Sequence, residues 1–296
     1  MADEFIIAEE HVAREGMLYL VATPLGNRDD LSPRAKTTLE NVDYIAAEDT
    51  RRAARLMSSL GIGNRIISYY EHNKHIRHAQ LLEDLRQGKS IALISDAGMP
   101  CISDPGEALV RLAVEQGIPV SVIPGPSALL SAVAASGLDT TRFVFESFIP
   151  VKGKARREYL SDIAKELRTV VFYEAPHRIR KTLADLEAND LASRRVVLAR
   201  ELTKKYEEFL YFTIKEAKAY YENTTPKGEF TLVLEGRSEF LRRTGVPHDD
   251  IDDADLEKRL RDCLAEGLSV KDAVNAVSET TGAARNLLYD LALKVM

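Results

Sequence analysis

The stretch SIALISDAGMPCISDPGEALVRLAVE, residues 90–115, holds a whole strand-turn-helix unit. SIALISD is an apolar, β-rich run that stops at Asp96, and a helical pattern runs from near Gly106 to Glu115. Between them Ala97, Gly98, Met99 and Pro100 leave backbone amides exposed beside a carboxylate. Such a loop has two readings. Either it holds a polar ligand, with Asp96 taking a ribose hydroxyl or an ammonium group and Gly98 permitting close approach, or it turns the chain into a helix capped by Ser103 or Asp104. The same rhythm continues on both sides: MLYLVA precedes a helical pattern at 36–40, VDYIAAED a helix through Leu60, RIISYY a helix over 74–86, and PVSVIPG a helix over 127–135. Alternation of this kind predicts βαβ units, a mostly parallel sheet, and ligands at the C-terminal ends of the strands.

A second α/β sheet is expected from near Arg142, with FVFESFIP, TVVFYEA, RVVLARE and EFTLVLEG as strands and helices over about 156–165 and 177–187. After Glu235 an acidic linker, including DDIDDADLE at 249–257, leads into three short helical patterns over 255–265, 270–278 and 283–294, which fit a small helical bundle. The expected division is therefore 1–138, 139–240 and 250–296, an α/β protein of two domains with a helical tail.

With 296 residues, 45% of them hydrophobic, the chain has enough apolar material for two compact domains and an appendage. No apolar run approaches the roughly 20 residues needed to cross a bilayer, and the N-terminus MADEFIIAEEHVAREG is acidic where a signal peptide is basic, which predicts a cytoplasmic protein. Cys101 and Cys263 stand alone, without a CxxC or Cys/His cluster, so neither a disulfide framework nor a metal site is expected. The net charge of -6 argues against indiscriminate nucleic-acid coating but leaves room for local basic patches: Lys152, Lys154, Arg156 and Arg157 form one, Arg51 and Arg52 another. The chain lacks GxxxxGK[ST], and no GxGxxG follows the first strand, which removes the main support for nucleotide hydrolysis and dinucleotide redox chemistry.

Further motifs fall at strand ends. In VATPLGNRDDLSPRA (21–35), Pro24 and Gly26 force a turn and keep bulk away from the strand end. VIPGPSALLSA (122–132) sets Ser127 at a strand-to-helix junction, as a helix cap or a contact to a ligand carboxylate. AAEDTRRAARL (46–56) brings Glu48, Asp49 and Arg51 to the end of the second strand, as site residues or as a cap with solvated charges. FYEAPHRI (172–179) and ARELTKKYEE (199–208) place Glu174, His177, Arg178, Arg200, Glu201 and Lys204 beyond strands of the second half.

Taken together, TPLGN, AEDTR, SDAG-P-ISDPG, PGPSA, FYE-PHR and ARELTK, in this order and with GKARRE among them, resemble the tetrapyrrole-methylase-like superfamily over about 17–236, and most closely its ribosomal RNA small subunit methyltransferase I branch. The resemblance implies a two-domain α/β homodimer that holds S-adenosylmethionine between its domains and methylates the ribose 2'-hydroxyl of a cytidine in 16S rRNA of the small subunit. It further implies that Leu25, Asp96, Ala97, Gly98, Met99, Ile102, Ser127, Ala128, Tyr173 and Ala199 border the cofactor, with Thr231 as a further candidate. The tail from about Asp255 resembles the small helical domain of many members and suggests an RNA-docking element. Two positions depart from the family pattern: Met99 stands where Thr is usual, and FESF (145–148) lacks the usual glycine before its second Phe.

A methyl group on sulfonium is already activated, so the protein must align the 2'-oxygen behind it and help remove the hydroxyl proton. Asp49 or Glu48 is the expected proton acceptor, with Arg51, Arg178 and Lys204 orienting phosphates or ribose, and the arm Lys152, Lys154, Arg156, Arg157 gripping the RNA backbone. The rivals are a small-molecule methylase acting on a corrin or porphyrin precursor and a non-catalytic ribosome-assembly factor that binds RNA.

Overall fold

The structure, a computed structural model, describes residues 16–245, 253–281, 283 and 285–295. The acidic N-terminus, the linker at 246–252 and the start of DDIDDADLE lie outside them. The chain divides into two compact units, residues 1–131 with 202–205, and residues 132–201 with 206–296.

The first unit alternates β1 (Leu18–Val21), α1 (Pro33–Asn41), β2 (Tyr44–Ala47), α2 (Thr50–Leu60), β3 (Ile66–Ser68), α3 (Lys74–Arg86), β4 (Ile91–Ile94), α4 (Glu107–Glu115) and β5 (Val120–Ile123). The sheet order is β3-β2-β4-β1-β5, and every pairing is parallel. Strand residues alternate between two buried layers, as the pleat requires. Leu18, Leu20, Ile91 and Leu93 pack with Leu81, Leu85 and Leu109 of α3 and α4. Tyr19, Val21, Ala92 and Ile94 pack with Leu39, Ala53 and Met57 of α1 and α2. A parallel sheet covered on both faces leaves only its strand ends open to a ligand. The chain then enters α5 (Ala128–Ala135), which the division into units crosses.

The second unit continues with β6 (Phe143–Phe148), α6 (Gly153–Lys165), β7 (Thr169–Glu174), α7 (Pro176–Leu186), β8 (Arg195–Arg200), β9 (Glu208–Thr213), α8 (Ile214–Asn223), β10 (Phe230–Leu234) and α9 (Arg237–Thr244). Its sheet order is β6-β7-β10-β8-β9; only β6 and β7 are parallel, and the other three pairings are antiparallel. Phe172, Leu198 and Leu232 face the helices α6, α7 and α8 through Leu160, Leu183 and Tyr221. The tail consists of α10 (Asp253–Ala265), α11 (Val270–Thr281) and α12 (Arg285–Val295), closed around Leu256, Leu260, Val274, Val277, Leu288 and Leu291. β9, α8 and α9 have no counterpart in the sequence reading. The β9-to-α8 passage does carry a capping box, Thr213 with Glu216, which marks a helix start at sequence level.

Candidate functional site

Four motifs leave the same edge of the first sheet. Because β1, β2, β4 and β5 are parallel, TPLGN, AEDTR, SDAG and PGPSA all follow C-terminal strand ends. Thr23 and Gly98 exchange both backbone hydrogen bonds, at 2.8 and 2.9 Å, and Thr23 Oγ1 donates to the Ser95 carbonyl at 3.2 Å. Gly98 sits at φ +82°, and a Cβ there would come within 3.2 Å of Leu25 Cδ2 and 3.6 Å of the Pro126 carbonyl oxygen. Three separate turns therefore meet over one small residue, giving a floor of bare backbone with Leu25 beside it. The loop beyond is held in an unusual shape: Cys101 and Ser103 have φ of 71° and 64°, a conformation that costs a non-glycine residue about 1–2 kcal/mol. Ile102, between them, is exposed. The segment 202–205 of ARELTK belongs to this same unit. Asn27 N–H donates to Thr203 Oγ1 at 3.2 Å, and a side chain on Gly26 would overlap that of Lys204.

Asp96 works within the protein as well as at its edge. Its Oδ1 accepts the Asp49 N–H at 3.1 Å and its Oδ2 pairs with Arg52 at 3.1 Å, tying the β4 loop to the start of α2. Asp49, expected as a proton acceptor, is the N-cap of α2. Its carboxylate accepts the N–H groups of Arg51 and Arg52 and pairs with the Arg51 guanidinium at 3.3 Å, which holds its carboxyl below the usual range. Those bonds also commit Arg51 to Asp49. Glu48 is displaced in the opposite direction: burial, then the negative charges of Asp104 and Asp96, push its carboxyl up against the opposing pull of Arg52. Asp104, read from sequence only as a cap, is pushed up to about 6, mainly by burial and further by Asp96, against a hydrogen bond with Ser95. Among the described residues no group of His, Cys, Asp and Glu is arranged to hold a metal ion.

Two other positions at this edge serve the fold. Met99 packs, partly buried, on the core around Leu93 and Leu109, so its side chain offers no polar contact where the family usually has Thr. Ser127 Oγ accepts the Leu130 N–H at 3.4 Å and caps α5, which starts at Ala128.

In the second unit, Tyr173, Thr231 and Ala199 lie side by side across β7, β10 and β8, since Thr231 is the register partner of both others. They share the face opposite Phe172, Leu232 and Leu198, which point into the helix-covered core. The Tyr173 ring is flanked by Phe145 and Phe148, at centroid distances of 5.0 and 5.5 Å. The β6–β7 register shifts between Phe145 and Phe148, and Ser147 in that bulge has φ of 53°. A left-handed bulge residue explains the usual glycine. Ser147→Gly is expected to stabilise the protein by about 0.5–1 kcal/mol, read as a rise of about 1–3 °C in melting temperature; an unchanged or lower value would show that the serine side chain offsets the strain.

The basic arm separates into two kinds of residue. Lys152, Lys154 and Arg157 are exposed, although Lys154 lies 3.3 Å from Glu158. Arg156 is 4% exposed. Its Nε pairs with Asp185 at 2.7 Å, and its two terminal nitrogens donate to the Pro150 carbonyl at 2.9 Å and Thr182 Oγ1 at 3.0 Å. Thr182 Oγ1 donates in turn to Glu174 at 2.6 Å, and Arg178 pairs with Glu174 at 3.0 Å while donating to the Ile149 carbonyl. The expectation that Arg156 and Arg178 bind RNA is corrected: both are spent on a buried network joining the start of α6 to β7 and α7.

Over residues 17–218 the chain matches the family described as Tetrapyrrole (Corrin/Porphyrin) Methylases, and over 250–295 the RsmI C-terminal HTH domain. It is 45% identical to a ribosomal RNA small subunit methyltransferase I of Synechocystis sp., covering 95% of this chain and 98% of that protein. The protein of that name from Halalkalibacterium halodurans is 42% identical over 94% of each chain. Among solved structures, a diphthine synthase (TM-score 0.57, 16% identity, 74% of this chain and 90% of that one) and a cobalt precorrin-4 methyltransferase (TM-score 0.56, 17% identity, 74% and 95%) share the fold.

Proposed function

From the premise that this chain belongs to the tetrapyrrole methylase family, in its ribosomal RNA small subunit methyltransferase I branch, we propose that it methylates the ribose 2'-hydroxyl of a cytidine in 16S rRNA. The chain is an S-adenosylmethionine-dependent methyltransferase. The geometric observation behind the reading is the backbone floor at the C-terminal edge of the first sheet, where Gly98 sits at φ +82° and a Cβ on it would press on Leu25. Close-lying backbone next to the Asp96 carboxylate suits an adenosyl group.

S-adenosylmethionine, when bound, supplies a methyl group already activated for transfer to oxygen. Leu25, Ala97, Gly98, Ile102, Ser127 and Ala128, with the backbone of Met99, are the residues proposed to border it in the first unit. Asp96 is proposed to bind its ribose or ammonium group. Tyr173, Thr231 and Ala199 are assigned to the cofactor by their place in the family pattern. Glu48 is proposed to take the 2'-hydroxyl proton, because its raised carboxyl is the stronger base of the two candidates. Lys152, Lys154, Arg157 and Lys204 are the proposed contacts to RNA phosphates. The protein is further proposed to act as a homodimer in the cytoplasm; among the described residues no helix is long and apolar enough to cross a membrane.

The test is transfer of labelled methyl from S-adenosylmethionine to small ribosomal subunits from cells lacking the gene, followed by mapping of the modified nucleotide. Label is expected on the 2'-oxygen of one cytidine. Label on a base, or none on RNA with turnover of a tetrapyrrole acceptor, would overturn the proposal.

A further inference from the structure

One groove in the second unit has no part in the chemistry described so far. It encloses about 1250 Å³ between the helical tail and the α/β part of the same unit. Its walls come from the end of α6 and start of β7, from α9, and from the end of α11 and first turn of α12. The volume exceeds the roughly 300–1,000 Å³ of a small-molecule pocket, so the groove suits a length of chain better than a compact ligand.

Charge decides which chain. Each carboxylate in the lining is already engaged: Asp139 with Arg242 at 3.4 Å and with the Thr141 N–H at 2.9 Å, Glu166 with Arg168 at 2.8 Å, and Glu239 with Arg195. Three lining cations, Arg142, Lys165 and Arg285, are exposed and have no ion-pair partner among the described residues. They come from both walls, two from the α/β part and one from the tail. Among the described residues no aromatic side chain lines the groove. It therefore offers no platform for base stacking, and its contacts are of the kind made to a phosphate backbone, which position a strand without reading its sequence.

We propose that this groove binds a single-stranded segment of RNA through its phosphates, and that Arg142, Lys165 and Arg285 clamp the strand between the tail and the α/β part. The proposal rests on the RNA-methylation reading above. It makes the tail one wall of a substrate channel separate from the arm at Lys152, Lys154 and Arg157. The net charge of -6 then concerns the whole molecule, while the free charge in the groove is positive.

The experiment measures fluorescence anisotropy of a labelled single-stranded fragment of 16S rRNA over a range of salt concentrations. It compares the full chain with Arg142→Ala/Lys165→Ala/Arg285→Ala and with a control, Lys181→Ala/Lys215→Ala, that removes exposed lysines elsewhere. Because the three groove cations are exposed and have no ion-pair partner among the described residues, melting curves should stay close to the parent. Losing three phosphate contacts from a single strand should flatten the slope of log K against log salt by about 2, and weaken binding at moderate salt by roughly 10-fold or more. S-adenosylmethionine binding, followed by calorimetry, should stay unchanged. An unaltered slope in the triple variant while the parent binds RNA overturns the groove and leaves the methylation reading standing. The same slope change per charge in the control overturns it too, since the effect would then be general. A parent that binds no such fragment overturns the groove, while the methylation reading is decided separately by label transfer to small subunits. Preference of the groove for a polyglutamate probe over RNA would assign it to an acidic protein and overturn the RNA proposal.

Discussion

Replacing Arg156 with alanine is expected to lower the melting temperature by about 10 °C, while removing Lys152, Lys154 and Arg157 together should move it by only about 1 °C. All four stand within six residues and look alike as charges in the sequence. In the structure Arg156 is 4% exposed and its guanidinium is shared among Asp185, Pro150 and Thr182, whereas the other three project outward. Removing a buried arginine leaves the Asp185 carboxylate without its cation and the Pro150 carbonyl without its donor, at a cost of about 3 kcal/mol. The buried Glu174 is reached through Thr182 and depends on the same network. Arg156→Lys should fall between parent and alanine, because an ammonium keeps the charge but cannot meet three partners in one plane. Differential scanning calorimetry gives the first readout and RNA anisotropy the second. A stable Arg156→Ala protein that loses RNA affinity would return this residue to the RNA-binding arm.

Arg156 also shows where sequence reading stops. Periodicity located it correctly near a helix start, but burial depends on which helix packs above it, and Asp185 and Thr182 stand more than twenty residues away. Strand ends were easier. Parallel alternation alone put TPLGN, AEDTR, SDAG and PGPSA at one edge; a side chain at Gly26 would overlap Lys204, and Gly98 takes a left-handed backbone with Leu25 close by. The second sheet was legible in its apolar runs but not in its strand directions, because β9 and α8, which lie between β8 and β10 in the chain, had no counterpart there. The Ser147 departure had a signal of its own: a position that favours glycine carries a left-handed backbone. The choice between Glu48 and Asp49 had none. They are sequence neighbours of the same chemical type, and only the fold makes one a cap bound by Arg51 and sets the other beside Asp104.

That difference predicts the largest catalytic effect. Glu48→Gln is expected to reduce kcat by about 100-fold to 1000-fold, with S-adenosylmethionine affinity unchanged, as befits loss of a proton acceptor that does not hold the cofactor. A general base acts when deprotonated, so the rate should climb as pH rises through the pKa of Glu48. Burial, Asp104 and Asp96 raise that pKa, which moves the acid limb above the ordinary carboxylate range, while Arg52 opposes the shift and Asp49 adds slightly to it. In Glu48→Gln the limb should vanish. Asp104→Asn removes one negative neighbour, lowers the Glu48 pKa and should shift the limb to lower pH without abolishing activity. Asp49→Asn should move the limb only slightly, to lower pH, and leave stability close to the parent, because asparagine caps a helix about as well as aspartate. The deciding measurement is the pH profile of single-turnover methyl transfer for all three variants. If Asp49→Asn flattens the profile and Glu48→Gln preserves it, the proton goes to Asp49, and Arg51 would have to release the cap before each turnover.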